Sequence, residues 1–303
     1  MPDRSSQKLS GIFPVIPTLF RDDDSLDFEA QRKVIQFALQ SGAHGVVFPG
    51  VASEYNFLTP EERGQLMQLV TEEIGGRIPI VGGASAPTAQ ESIVAGRQAA
   101  ENGINILMIM APNGLGSDLE AHREFYATIS AALPDAEIML QNAPSPIGAG
   151  LDAIAIATLV AGNPAISYIK EETLPSGPAI SALQQADIPH LKGVFGGGGA
   201  RFIIDELNRG ALGAMPAIEL SDLHVALYQA HLDSEMERAR ELYRNSLPLL
   251  VSQSIYRMRL TKYVLMKRGV AEALHVRAPL PELDEFTQRD IDQMLVDLES
   301  SLS

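Results

Sequence analysis

Short apolar, β-branched runs alternate along this chain with longer segments whose apolar positions recur at helical spacing. The first run covers 11–18 and is followed by an acidic loop, Arg21-Asp22-Asp23-Asp24. A helix is predicted from about Asp27 through Val34, Phe37 and Leu39, stopping at Ser41-Gly42. Residues 45–48 form the second strand, and Thr59-Pro60-Glu61-Glu62 opens a helix as a capping box with proline at its first position. The third strand covers 78–82, with a helix opened by Thr88-Ala89-Gln90-Glu91. The fourth covers 104–110, with a helix from Ser117 whose box closes at Glu120. The fifth covers 138–141, before an alanine-rich helix from Asp152. The sixth begins at Ile166 and carries Lys170; the seventh covers 190–195 and precedes a helix over 201–208. Residues 213–216 form a short eighth strand, and beyond Ser221 the pattern is helical only.

Eight strands alternating with helices over roughly 220 residues is the count of a (β/α)8 barrel. An open doubly wound sheet would carry a glycine-rich turn after its first strand. Here that turn holds Pro17-Thr18 and the acidic loop instead. The expected fold is therefore α/β, a TIM barrel over 1–220 with a C-terminal helical region, 221–303, packed on it. No Pro/Ser-rich linker or composition shift marks the second part as independent.

Composition narrows the function. The 303 residues include no cysteine, so disulfides and thiolate metal sites are excluded. The six histidines (His44, His122, His190, His224, His231, His275) have no metal-ligand spacing, and no metal is expected. With 38 acidic against 23 basic residues and no basic stripe, a nucleic-acid partner is not expected. No apolar run is long enough for a bilayer. The opening Met1-Pro2-Asp3-Arg4-Ser5-Ser6-Gln7-Lys8 lacks the apolar core of a signal peptide, so the expected location is cytoplasmic.

The chemistry centres on Ile166-Ser167-Tyr168-Ile169-Lys170-Glu171-Glu172-Thr173. Alternation puts Ile166, Tyr168, Lys170 and, where strand geometry persists, Glu172 on one face. A lysine at the end of a buried strand is costly unless it is neutralised, paired or used covalently. An amine and a carboxylate facing one cavity suit Schiff-base formation with a ketone, the acid moving protons beside it. The same two residues also suit a structural ion pair at a strand end. Other strand ends bring polar and glycine residues to the same rim: Ser53-Glu54, Asn113-Gly114, Gln141-Asn142, Gly196 to Gly199 and Met215-Pro216. Chemistry in such barrels belongs there.

These residues resemble a known family. The run 11–18, Gly50-Val51-Ala52-Ser53-Glu54 with Leu58, Asn142-Ala143-Pro144-Ser145, Ile169-Lys170-Glu171 and Gly210-Ala211-Leu212-Gly213-Ala214 all carry the resemblance, over about 10–270. Together they are similar to the dihydrodipicolinate synthase / N-acetylneuraminate lyase superfamily of class I lyases. The resemblance implies a homotetramer, a dimer of dimers, acting on a small 2-keto acid. It implies Lys170 as the Schiff-base lysine, with no separate cofactor, and Val51-Ala52-Ser53 as the cradle for the substrate carboxylate. Gly196 and Met215 are further candidate substrate contacts. Tyr168, Glu54 and Asn113 are candidate supporting residues, with Glu54 expected to order its loop and Tyr168 to pack beneath Lys170.

Departures from the family narrow the reading. The shuttle tyrosine expected at the end of strand five is Gln141, whose amide cannot ionise. Val51-Ala52 stand where the synthases carry a threonine pair, Asn113-Gly114 replace an aromatic pair, and Pro146 replaces an arginine. The branch typified by L-2-keto-3-deoxyarabonate dehydratase shares Gln141, Ser53-Glu54 and the Tyr168-x-Lys170-x-Glu172 run. Its aromatic loop, here Asn113-Gly114-Leu115-Gly116, and the acidic residues of its strand-seven loop are not matched. The expected activity is dehydration of a 2-keto-3-deoxy sugar acid, with Lys170, Glu172 and Gln141 as catalytic residues. The alternatives are a pyruvate-dependent aldolase or retro-aldol lyase, 4-hydroxy-tetrahydrodipicolinate synthesis, and a keto-acid-binding scaffold without turnover.

Overall fold

The predicted alternation closes into a barrel in the computed structural model, which describes residues 8–302 and, up to 298, their side chains. The opening residues 1–7, read above for a signal peptide, and residue 303 lie outside that range. Among the described residues the strands are β1 (Gly11–Ile12), β2 (Val46–Phe48), β3 (Ile80–Gly83), β4 (Ile106–Ile109), β5 (Glu137–Asn142), β6 (Ile166–Glu171), β7 (Gly193–Gly196) and β8 (Gly213–Ala214). All pair in parallel in the order β1-β8-β7-β6-β5-β4-β3-β2. Val15, which bridges both Val47 and Ala217, brings the two edges together. Of the eight-residue run expected as the first strand only Gly11–Ile12 is regular strand; Gly11, Phe13 and Val15 go on donating to 212–216, but on the β2 side Pro14 has no N–H for the ladder.

The first five helices start at side-chain caps. Among the described residues the helices are α1 (Phe28–Gln40), α2 (Pro60–Ile74), α3 (Ala89–Glu101), α4 (Leu119–Ala132), α5 (Ala153–Ala161), α6 (Ser176–Gln185), α7 (Ile203–Asn208), α8 (Ser221–Leu232), α9 (Met236–Lys267) and α10 (Glu285–Leu302). Thr59 and Glu62 cap α2 reciprocally, at 3.1 and 3.0 Å. The cap of α4 is Asp118, one residue beyond the expected Ser117; its carboxylate accepts from the N–H groups of Glu120 and Ala121. No side chain caps α6, and its first turn contains Gly177 and Pro178, so the sequence pattern does not announce it. Among the described residues no helix is long and apolar enough to cross a membrane.

Phe13, Val15, Val47, Val81, Met108, Met139, Tyr168, Phe195 and Met215 form one buried apolar cluster. Every strand or its immediate extension contributes, which makes this layer the plug inside the barrel. The boundary expected at residue 220 falls just before α8. That helix packs on β1, and a single buried cluster joins Ile12 and Ala214 of the barrel to Leu223, Leu242, Leu260 and Ile291. The long α9 also reaches back over the rim to touch the turn after β2.

Candidate active site

The site grows from the alternation of β6. Tyr168 lies in the barrel plug, so Lys170, two residues on, projects into the mouth above it. Strand pairing continues past the end of β6, the Glu172 N–H reaching the Asn142 carbonyl at 2.9 Å. The alternation therefore persists, and Glu172 turns to the same side as Lys170, its carboxylate 3.3 Å from Nζ. Gln141, paired in register with Lys170, donates from Nε2 to the other oxygen of Glu172 at 2.6 Å. The Gly198 N–H adds a third donor at 3.0 Å. Burial pushes the Glu172 carboxyl up, but the Lys170 charge and these hydrogen bonds outweigh it and hold the group below its usual value. Glu172 is thus kept ionised beside the amine.

Glu171 takes the opposite face. It is fully buried, accepting from Asn142 Nδ2 at 2.9 Å and from the N–H and hydroxyl of Thr173. Burial raises its pKa, against the lowering effect of those donors. It braces the ends of β5 and β6 from behind.

The mouth encloses roughly 900 Å3 of empty space, counting its open side, and Lys170, Glu172, Gln141 and Met215 line it. Val51 and Ala52 line it as well, from a 3-10 turn (Val51–Ser53). The first N–H groups of such a turn have no acceptor within it.

Other expected residues are placed differently. Ser53 is fully buried; its hydroxyl donates to the Ile16 carbonyl and accepts from Gly50 N–H, so it ties the turn down and is not part of the cavity lining. Gly196 does not line the mouth: a Cβ there would sit 1.9 Å from a Glu206 carboxylate oxygen, so the space it leaves is filled by Glu206 and not by substrate. Gly197 makes the same kind of room for Glu172, and the glycines that line the cavity are Gly198 and Gly199. Asn113 is exposed in the turn after β4 and does not line the cavity. The Tyr168 hydroxyl accepts from Leu9 N–H at 3.0 Å, below the plug and away from Lys170. Glu54 is buried in an ion pair with Lys262 at 2.8 Å and also accepts from the N–H groups of Arg277 and Ala278, each at 2.8 Å.

Several lining residues had no signal in the sequence, among them Glu206 on α7, Arg201 before it, and Gln253 and Arg257 on α9. They sit on helical segments whose approach to the rim only the packing creates. Among the described residues no group of three or more His, Asp or Glu is arranged to hold a metal ion.

With this geometry in view, comparisons place the chain among known proteins. The model of the dihydrodipicolinate synthetase family matches residues 8–298. L-2-keto-3-deoxyarabonate dehydratase of Azospirillum brasilense is 28% identical over 295 residues, 96% of this chain and 95% of that one. A 4-hydroxy-tetrahydrodipicolinate synthase of Stenotrophomonas maltophilia is 32% identical over 190 residues, 61% of this chain and 62% of its own. Among solved structures, dihydrodipicolinate synthase from Rhodopseudomonas palustris superposes with a TM-score of 0.88 at 24% identity, covering 96% of this chain and 98% of its own.

Proposed function

This chain belongs to the dihydrodipicolinate synthetase family and is a lyase, and from that premise we propose that it dehydrates a 2-keto-3-deoxy sugar acid through a Schiff base on Lys170. The observation that carries the reading is the Glu172 carboxylate, held 3.3 Å from Nζ by Gln141 and Gly198. Gln141 occupies the place at which the family's synthases carry an ionisable tyrosine. The proton work falls to Glu172, and the A. brasilense relative is itself a dehydratase of a 2-keto-3-deoxy sugar acid.

In the proposed sequence the substrate carboxylate sits on the free amides of Val51 and Ala52, while Ser53 fixes the turn from below. Lys170 attacks C2, and loss of the carbonyl oxygen as water leaves an iminium. That cation acidifies the C3 protons, and the ionised Glu172 takes one. The resulting enamine expels the C4 hydroxyl, to which Glu172 returns the proton, so the group leaves as water. Gln141 keeps the carboxylate aimed through both transfers. Hydrolysis frees Lys170 and the dehydrated keto acid. No cofactor is required, and we place the reaction in a cytoplasmic homotetramer, a dimer of dimers.

Borohydride added with a 2-keto-3-deoxy sugar acid should leave a covalent mass on the Lys170 peptide, and product analysis should show loss of water without release of pyruvate. Pyruvate release would make the protein an aldolase using the same lysine. A folded wild type labelled no better than Lys170→Ala would end the Schiff-base reading.

A further inference from the structure

Two guanidinium groups at the cavity mouth have no part in the elimination. Arg201 lies over the glycines after β7: a Cβ on Gly199 would be 3.3 Å from its Nη1, and one on Gly198 would be 3.8 Å from its Nη2. Arg257 lines the same cavity from α9. Among the described residues neither guanidinium has an ion-pair or hydrogen-bond partner, whereas Arg209, Arg268 and Arg277 are all paired. The two are close enough to affect each other: burial, then the charge of Arg257, hold Arg201 below its usual pKa.

Arg257 is also strained. Its φ of 49° and ψ of −125° interrupt α9 in a conformation that glycine adopts freely and a long side chain does not. A strained residue with an unpaired charge, aimed into a cavity, marks a place where a ligand is to be held. The charge count points the same way. Lys170 and Glu172 offset each other, and Glu206, which burial pushes up to about 7, is only partly ionised at neutral pH and so offsets less than one of the two arginines. The mouth therefore has an excess of cations in a chain whose formal net charge is −15.

We propose that the substrate carries a second anionic group, a phosphate ester or a terminal carboxylate, at the end remote from its keto acid, and that Arg201 and Arg257 hold it. This rests on the reading of the site as one for 2-keto acids. Paired guanidinium forks suit either oxyanion, since each presents two parallel N–H donors to it.

The test compares borohydride labelling of Lys170 by three acids of equal length: 2-keto-3-deoxygluconate, its 6-phosphate, and the 2-keto-3-deoxy aldarate with a carboxylate in place of the terminal carbinol. One anionic tail should lower the half-saturating concentration about tenfold or more relative to the neutral tail, and which of them does so separates the phosphate ester from the carboxylate. In Arg201→Gln and in Arg257→Gly, whose glycine suits that backbone, the preference should fall towards one. Equal half-saturation by all three acids in wild type would overturn the proposal, as would a preference retained in both variants. It would also fall if the variants weakened pyruvate labelling as much as that of the anionic acids, for the arginines would then serve the keto-carboxylate. If no acid labels Lys170, the Schiff-base reading fails on its own, and titration with inorganic phosphate decides the arginines: binding lost in Arg201→Gln upholds the anion site, and no binding to wild type removes it.

Discussion

Glu172 is a carboxylate surrounded by donors, which makes it ionised but weakly basic. It can serve as a base because the iminium makes the C3 proton unusually acidic. Glu172→Gln keeps the size and most of the hydrogen bonding while removing the proton acceptor. Labelling of Lys170 should survive in that variant, and single-turnover dehydration should fall roughly a hundredfold or more. Turnover at the wild-type rate would leave the acid as a structural partner only. Glu206 shows the opposite electrostatics. Burial pushes its carboxyl up to about 7 from an ordinary 4.5, with Ser176 donating at 2.7 Å as the main counterweight. Because the folded state favours the protonated form, this contribution to stability is fully present below pH 4.5 and is lost as pH rises through 7. Glu206→Gln should match wild type in denaturant unfolding at pH 4.5 and exceed it at pH 8 by on the order of 3 kcal/mol. Equal unfolding at pH 8 would show that the carboxyl ionises there without cost. Glu219, likewise buried and pushed up to about 7, leaves part of the pH dependence in place in the variant.

At the scale of elements, the turn after β2 is positioned from far along the chain. Glu54, at a left-handed φ of 57°, ends that turn and meets Lys262 of α9 in a pair with no exposure on either side chain. Lys262 also lies over the Phe20 ring at 4.6 Å and donates to the His275 carbonyl. Lys262→Met would strand the Glu54 carboxylate in the interior, at a cost of about 3–5 kcal/mol. Lys262→Met with Glu54→Gln should recover part of that loss, a coupling that a double-mutant cycle in denaturant measures. The surviving activity of either variant should show a raised KM for the keto acid, since Val51 and Ala52 lose their anchor. The loop after β7 is equally specific. A Cβ on Gly197 would sit 2.3 Å from Glu172 Cγ, so Gly197→Ala should displace the carboxylate from Lys170 and depress kcat more than it raises KM.

At the scale of the whole molecule, the barrel and the helices after it share one apolar cluster and the Glu54–Lys262 pair. They are expected to unfold together, giving a single calorimetric transition. Two resolved transitions would make the C-terminal helices an independent unit. Light scattering at micromolar concentration should give the mass of four chains of 32.6 kDa; a monomer would count against the proposed assembly.

Much of this was legible in the sequence because it depends on local periodicity. Alternation in β6 places Lys170 and Glu172 on one face, and capping boxes such as Thr59-Glu62 locate helix starts, since both rest on backbone geometry within a few residues. The family was legible by another route, the resemblance of motifs over about 10–270 to a known family, against the 8–298 of the family match. Tertiary structure alone decided what each rim residue faces. The glycine run looks uniform as letters, yet Gly196 accommodates Glu206, Gly197 accommodates Glu172, and Gly198 and Gly199 open onto the cavity. Ser53, suited by type to hold a carboxylate, has its hydroxyl drawn to Ile16 and Gly50 because the turn closes over the first strand. Arg201, Arg257 and Glu206 reach the mouth because α7 and α9 pack at the rim, and Lys262 meets Glu54 across 208 residues. Periodicity assigns a residue to a face of its own element, whereas its partners depend on how separate elements pack, and the spacing of residues along a chain does not encode that.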